Sequence, residues 1–256
     1  FTSGKTLPGK IADYDTFFKG VNAHSASWNN GADGGRKALR ARAKAFADQG
    51  LSANIAMKRT KKITRIVLHW NGSAAGTTMK KALVHESTST AWGYHYMIDK
   101  DGSFLETCPP DYNVYHAGGN WDDSIGIAFH NKGYIPSSVA NPKNGPIPDS
   151  ILKQKTYNSP VGWEKGIIDG KSKPNWVETY SKEAMDAAVT ICAKLCNTYS
   201  ISPDSIVPHA SVSTSGKPDT GPQMPGGYSL SEFRKRVAER MRNVGVGAAR
   251  LDTSGF

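Results

Sequence analysis

The run Ile63-Thr-Arg-Ile-Val-Leu-His-Trp70 is mostly β-branched or apolar, is of strand length, and stops at the turn formers Asn71-Gly72. It reads as a buried strand with His69 at its carboxyl end, and the rest of the chain has to supply the layers that cover it. A helix is predicted near Thr77–Glu86. Tyr94-His-Tyr-Met-Ile98, the turn residues Asp101-Gly102 and Phe104-Leu105-Glu106 then give a hairpin signal, and Ser124-Ile-Gly-Ile-Ala-Phe129 a further strand. Residues 131–176 hold 6 of the 14 prolines with little periodicity, which predicts a long excursion over the surface. Helical spacing returns with Ala184, Ala188, Ile191, Leu195 and Tyr199 on one face. The last helix starts at Ser229, with Glu232 completing a capping box, and buries Leu230, Phe233, Val237 and Met241. Beyond Asn243 a flexible tail, 243–256, is expected. This order of elements predicts an α/β fold with a mixed central β-sheet flanked by helices.

Charge divides the chain unevenly. The formal net charge is +10 over 256 residues, yet residues 1–65 carry 13 Lys/Arg against 4 Asp/Glu while the remainder is nearly balanced. A globular nucleic-acid binder would carry its cations through its folded elements, so no specific nucleic acid is expected as a partner. Leu39, Ala43 and Phe46 give the segment Gly35–Gly50 the spacing of a short amphipathic helix. Residues 1–59 are therefore taken as a basic, partly helical extension, whose cations are either a solvated face or an arm for anionic envelope polymers. The chain opens on polar residues with neither a signal core nor Met, and no apolar stretch is long enough for a membrane span. Three cysteines cannot build a disulfide framework; Cys192 and Cys196, four apart on a helix, are expected to be buried thiols.

Of seven histidines, two stand where chemistry is expected. His69 ends a buried strand, and His209 follows the short apolar run Ser205-Ile-Val-Pro208 into a polar loop. That loop holds Lys217 and Asp219 in the frame Lys-Pro-Asp-Thr-Gly-Pro222, restricted by proline on both sides. Two imidazoles and one carboxylate leave an open fourth position on tetrahedral zinc, as a hydrolytic site requires. A lysine two residues from a ligand would stand near a developing oxyanion. Spacing alone is met equally by a turn with a surface Lys-Asp pair.

Taken together, Ile66-Val-Leu-His69, Gly93-Tyr-His-Tyr-Met-Ile98 with Asp101-Gly102, Tyr115-His-Ala-Gly118, Ser124-Ile-Gly-Ile127 and Val207-Pro-His209 with Lys217-Pro-Asp-Thr-Gly-Pro222 resemble, in order, the type-2 N-acetylmuramoyl-L-alanine amidases. That family shares its fold with peptidoglycan recognition proteins and phage endolysins. The resemblance spans about residues 60–242 and implies a catalytic domain there. It implies one zinc ion on His69, His209 and Asp219, Lys217 as oxyanion stabiliser, and Tyr94 as active-site tyrosine. It also implies that His116 and Trp92 line the substrate groove. The reaction implied is hydrolysis of the amide between N-acetylmuramic acid and L-alanine in peptidoglycan, at the bacterial cell wall, by a monomer acting as a phage lysin, a virion-associated enzyme or an exported hydrolase. One departure stands out: where members with an aspartate ligand commonly carry a glutamate base, this chain has Ala128, with His130 as a substitute candidate. A non-catalytic peptidoglycan-binding module of the same fold is the alternative. His95, on the opposite side of its strand from Tyr94 and Tyr96, is expected to be structural.

Overall fold

The computed structural model describes residues 56–59, 61–75, 94–106, 110–114, 116–117, 122–136, 139, 146–167, 174–213, 219, 223–224 and 228–251. The predicted helices at 35–50 and 77–86, Trp92 and Lys217 lie outside these residues.

The apolar run at 63–70 becomes β2 (Arg65–Trp70), a central strand of a five-stranded sheet. Its neighbours are β10 (Ile206–Pro208) on one side and β6 (Ser124–Phe129) on the other, both parallel to it. Beyond β6 lies β3 (Tyr96–Ile98), again parallel, and then β4 (Phe104–Glu106), antiparallel. The β3–β4 turn uses Gly102 at φ +80°, a backbone region open to glycine at little cost. The sheet is therefore mixed, with four parallel strands and one antiparallel edge.

Period-two alternation decides which face is which. Ile66, Leu68, Ile125, Ile127 and Phe129 face the main core together with Ala184, Met185, Ala188, Ile191, Cys192 and Leu195 of α2 (Lys182–Tyr199). Fully burying each large aliphatic side chain contributes about 1.5–3 kcal/mol, so this contact is the main source of stability for the domain. Val67, His69, Gly126 and Ala128 alternate onto the opposite face. α2 starts where the Ser181 side chain accepts a hydrogen bond from Ala184 N, and it ends at Ser200 in the left-handed region. Cys192 and Cys196 are free and buried, as expected, and burial pushes the Cys196 thiol up to about 11. α4 (Leu230–Leu251) adds Phe233 and Val237 to the same core, and Ser229 Oγ accepts from Glu232 N as the capping signal predicts. The helix runs on through Asn243 to Leu251.

Two boundaries differ from the sequence reading. Residues 56–59 belong to the folded domain: β1 (Ala56–Lys58) pairs with β5 (Tyr112–Val114), and Arg59 donates to the carbonyls of Pro110, Asp122 and Ser124. Lys61 pairs with Asp122 and Arg65 with Asp123, so part of the cationic excess counted over residues 1–65 is engaged within the fold. The stretch 131–176, read as a long surface excursion with little periodicity, contains most of a three-stranded antiparallel sheet. β7 (Tyr134–Ile135), β9 (Pro174–Glu178) and β8 (Trp163–Ile167) pair in that order. With the short helix α1 (Asp149–Leu152) they enclose a second small core of Ile135, Ile147 and Tyr157.

Candidate metal centre

Parallel pairing of β10 with β2 sets Pro208 beside Leu68, so the next residues, His209 and His69, emerge together at the carboxyl end of adjacent strands. Side chains at that end of a parallel sheet converge on a common crevice. His69 Nδ1 lies 2.9 Å and His209 Nδ1 2.6 Å from the same oxygen, Oδ2 of Asp219. One donor atom from each of the three residues lies within 4.8 Å of the others, and all three residues are buried. Two segments 150 positions apart in the chain thus meet, and Ala210 N donates to Asp219 O at 3.1 Å, tying the loop back to the start of α3 (His209–Val212).

Electrostatics favours the charge states that a cation needs. Burial lowers His69 to about 4, against the opposing hydrogen bond and charge of Asp219, and keeps the ring neutral at pH 7. Burial acts to raise the Asp219 carboxyl, but hydrogen bonds from His209 and His69 outweigh it and hold the group below the ordinary carboxylate range. Two imidazole nitrogens and one carboxylate fit a divalent cation such as zinc, and leave one of its four tetrahedral positions for a further ligand.

Among the other expected residues, Tyr94 is brought to the centre: its ring centroid is 5.1 Å from that of His69, and it is 5% exposed. Ala128 sits opposite His69 in the β2–β6 register, so no carboxylate occupies that place. His130 is at hydrogen-bond distance from Asn71, Nδ1 to Nδ2 3.1 Å, where β2 and β6 end. His95 accepts from Gly126 N at 2.9 Å through Nδ1 and is fully buried, in the structural role expected of it. His116, implied as a groove residue, is brought to the same cluster. It is 7% exposed and stands behind His69, Nδ1 to Nε2 3.0 Å, because Gly126 leaves room for its ring. The glycine in the middle of the buried strand Ser124–Phe129 was the available sequence signal for such a close approach.

The family profile for N-acetylmuramoyl-L-alanine amidase matches residues 59–222. The chain belongs to the N-acetylmuramoyl-L-alanine amidase family. All three converging donors fall inside the matched region. A probable N-acetylmuramoyl-L-alanine amidase of Bacillus licheniformis is 26% identical over 195 residues, covering 74% of this chain and 45% of that protein. The chain thus spans about half the length of that curated relative. Among solved structures, the amidase LysC from Clostridium intestinale URNW is 17% identical and covers 69% of this chain and 86% of its own, at a TM-score of 0.42. The amidase AmiD from E. coli, solved with an anhydro-N-acetylmuramic acid peptide, is 17% identical over 72% of this chain and 60% of its own, at 0.44. No helix among the described residues is long and apolar enough to cross a membrane.

Proposed function

We propose that this chain hydrolyses the amide between the lactyl group of N-acetylmuramic acid and the L-alanine of the stem peptide in peptidoglycan, with one zinc ion on His69, His209 and Asp219. The observation that carries the reading is the approach of both histidine Nδ1 atoms to one Asp219 oxygen, in a chain of this family. When bound, the ion supplies polarisation of the scissile carbonyl and activation of the attacking water.

The chain's own groups do the rest. His69 stays neutral, His69 and His209 offer their ring nitrogens, and Asp219 contributes the one anionic donor. Lys217, two residues before Asp219, brings a positive charge to the oxygen that becomes anionic at the tetrahedral stage, where loss of one such donor costs ~10²–10³ in turnover. Tyr94, beside His69, hydrogen-bonds the reacting groups or relays a proton. With Ala128 in place of a carboxylate, the chain leans more heavily on the ion to activate water. Trp92 contacts the substrate. Action at the bacterial cell wall, as a phage lysin, a virion-associated enzyme or an exported hydrolase, follows from this substrate.

The test is metal analysis of the purified chain beside digestion of muropeptides read by mass. Wild type should carry one zinc and release intact stem peptides; His209→Ala should lose both properties while keeping its circular dichroism, since the core lies elsewhere. Lys217→Ala should keep zinc and lose turnover. Binding of wall fragments without any release of peptide by wild type would reject the hydrolase in favour of a binding module.

A further inference from the structure

His69 offers its two nitrogens to opposite sides. Nδ1 faces Asp219 at 2.9 Å, where the donors converge, and Nε2 faces His116 Nδ1 at 3.0 Å. His116 spends its remaining nitrogen on Ser124, Nε2 to Oγ 3.2 Å. The three residues are 1%, 7% and 0% exposed, and the two rings meet edge to face with centroids 5.1 Å apart. His116 is also clamped from below, since a Cβ on Gly126 would stand 2.7 Å from its ring.

A neutral imidazole carries one proton, so the direction of this chain is decided at its Asp219 end. With the carboxylate alone in front of it, His69 donates through Nδ1–H. Its Nε2 then accepts from His116 Nδ1–H, and His116 Nε2 accepts from the Ser124 hydroxyl. A cation among the same donors requires the Nδ1 lone pair instead. The His69 proton then belongs on Nε2 and donates to His116 Nδ1, and the His116 proton belongs on Nε2 and donates to Ser124 Oγ. Each ring keeps one proton throughout: it leaves Nδ1 and is replaced at Nε2 by exchange with solvent, while the serine hydroxyl turns. Serine can stand behind His116 in either sense because a hydroxyl both donates and accepts.

We propose that His116 is the positioning residue that fixes the tautomer and ring orientation of His69, and that metal binding reverses the hydrogen-bond direction along His69, His116 and Ser124. The inference rests on the metal reading of His69, His209 and Asp219. Partners of this kind behind a metal-bound histidine typically contribute 10–100-fold in metal affinity.

Nitrogen-15 NMR of the histidine rings, on the full chain without metal and then loaded with zinc, reads the reversal directly. His116 should pass from the Nδ1–H to the Nε2–H tautomer although it does not touch the ion. In chelator competition, His116→Leu should bind zinc 10–100-fold more weakly, and His116→Asn, whose Oδ1 can accept near the former Nδ1 position, should recover most of the loss. Zinc uptake by wild type with no change of tautomer at His116, or unchanged affinity in a folded His116→Leu, overturns the relay alone. Failure of wild type to take up zinc overturns the metal reading with it. Should the leucine variant not fold, the wild-type spectra decide by themselves.

Discussion

Gly126 lies directly beneath the imidazole of His116: a Cβ built on it would approach Cγ of that ring to 2.7 Å and Nδ1 to 2.8 Å. Replacing a strand glycine by alanine ordinarily helps a strand, by reducing the entropy of the unfolded chain. Here the ring has nowhere to go, with His69 on one nitrogen and Ser124 on the other. Gly126→Ala should therefore cost about 1–3 kcal/mol through overpacking, a fall of roughly 2–4 °C in Tm per kcal/mol for a chain of this size. It should also weaken zinc binding. A thermal melt and a chelator titration read the two effects, and an alanine variant at least as stable as wild type would contradict the packing.

A second buried arrangement sits where the 131–176 segment joins the domain. Glu178 is fully buried and pairs with Lys100, Nζ to Oε1 3.1 Å, while its other oxygen accepts from Lys132 N. Removing one partner of a buried pair leaves a charge without compensation and typically costs 3–5 kcal/mol. Lys100→Met should show a loss of this size in urea unfolding. Adding Glu178→Gln should give part of it back, because the neutral amide no longer needs the cation. Losses that simply add would show that the two residues do not depend on each other.

These two features also mark what the sequence could and could not disclose. β2, β6 and α2 were legible because their binary patterns are unambiguous: a continuous apolar strand for the parallel centre, a 3.6-residue stripe for the covering helix. The three-stranded sheet in 131–176 was not, since strands as short as Tyr134–Ile135, or as mixed as Trp-Glu-Lys-Gly-Ile, carry no clear period. Spacing also could not bring His69 and Asp219 together across 150 positions. That convergence depends on the parallel β2–β10 register, which spacing along the chain does not disclose. His116 was anticipated as part of the site, but its place behind His69 depends on Gly126, whose meaning appears only once β6 is in position. Glu178 gave no signal, because a single glutamate near a strand end reads as a surface charge.

Arg65 and Asp123 tie the amino ends of β2 and β6 with two hydrogen bonds, Nε to Oδ1 3.1 Å and Nη2 to Oδ2 2.7 Å. Burial acts to raise the Asp123 carboxyl; the hydrogen bonds and charge of Arg65 outweigh it and leave the group below its ordinary value of 3.8. The folded chain therefore gives up this proton more readily than the unfolded one. The resulting stability is complete above that ordinary value and is lost as pH falls through the lower folded one. The pair is partly solvated, so its contribution is about 1 kcal/mol or less. Urea unfolding of wild type and Arg65→Met should differ by that amount at pH 7 and converge as the pH is lowered past 3.8. A difference that persists undiminished at low pH would assign it to the arginine's packing instead.

The basic front segment calls for a truncation placed with the fold in mind. Arg59, Lys61 and Arg65 are engaged within the domain and β1 begins at Ala56, so a cut at 59 would remove structure along with charge. Residues 1–51 still carry eight Lys/Arg against four Asp/Glu, an excess able to attract an anionic envelope polymer over a Debye length of ~8–10 Å. A chain starting at Ser52 should keep full activity on small soluble muropeptides. It should bind whole sacculi less tightly, with a shallower dependence on salt than the full chain. If residues 1–51 instead brace the domain, Tm and both activities fall together, and equal losses on soluble and polymeric substrate would decide for the brace.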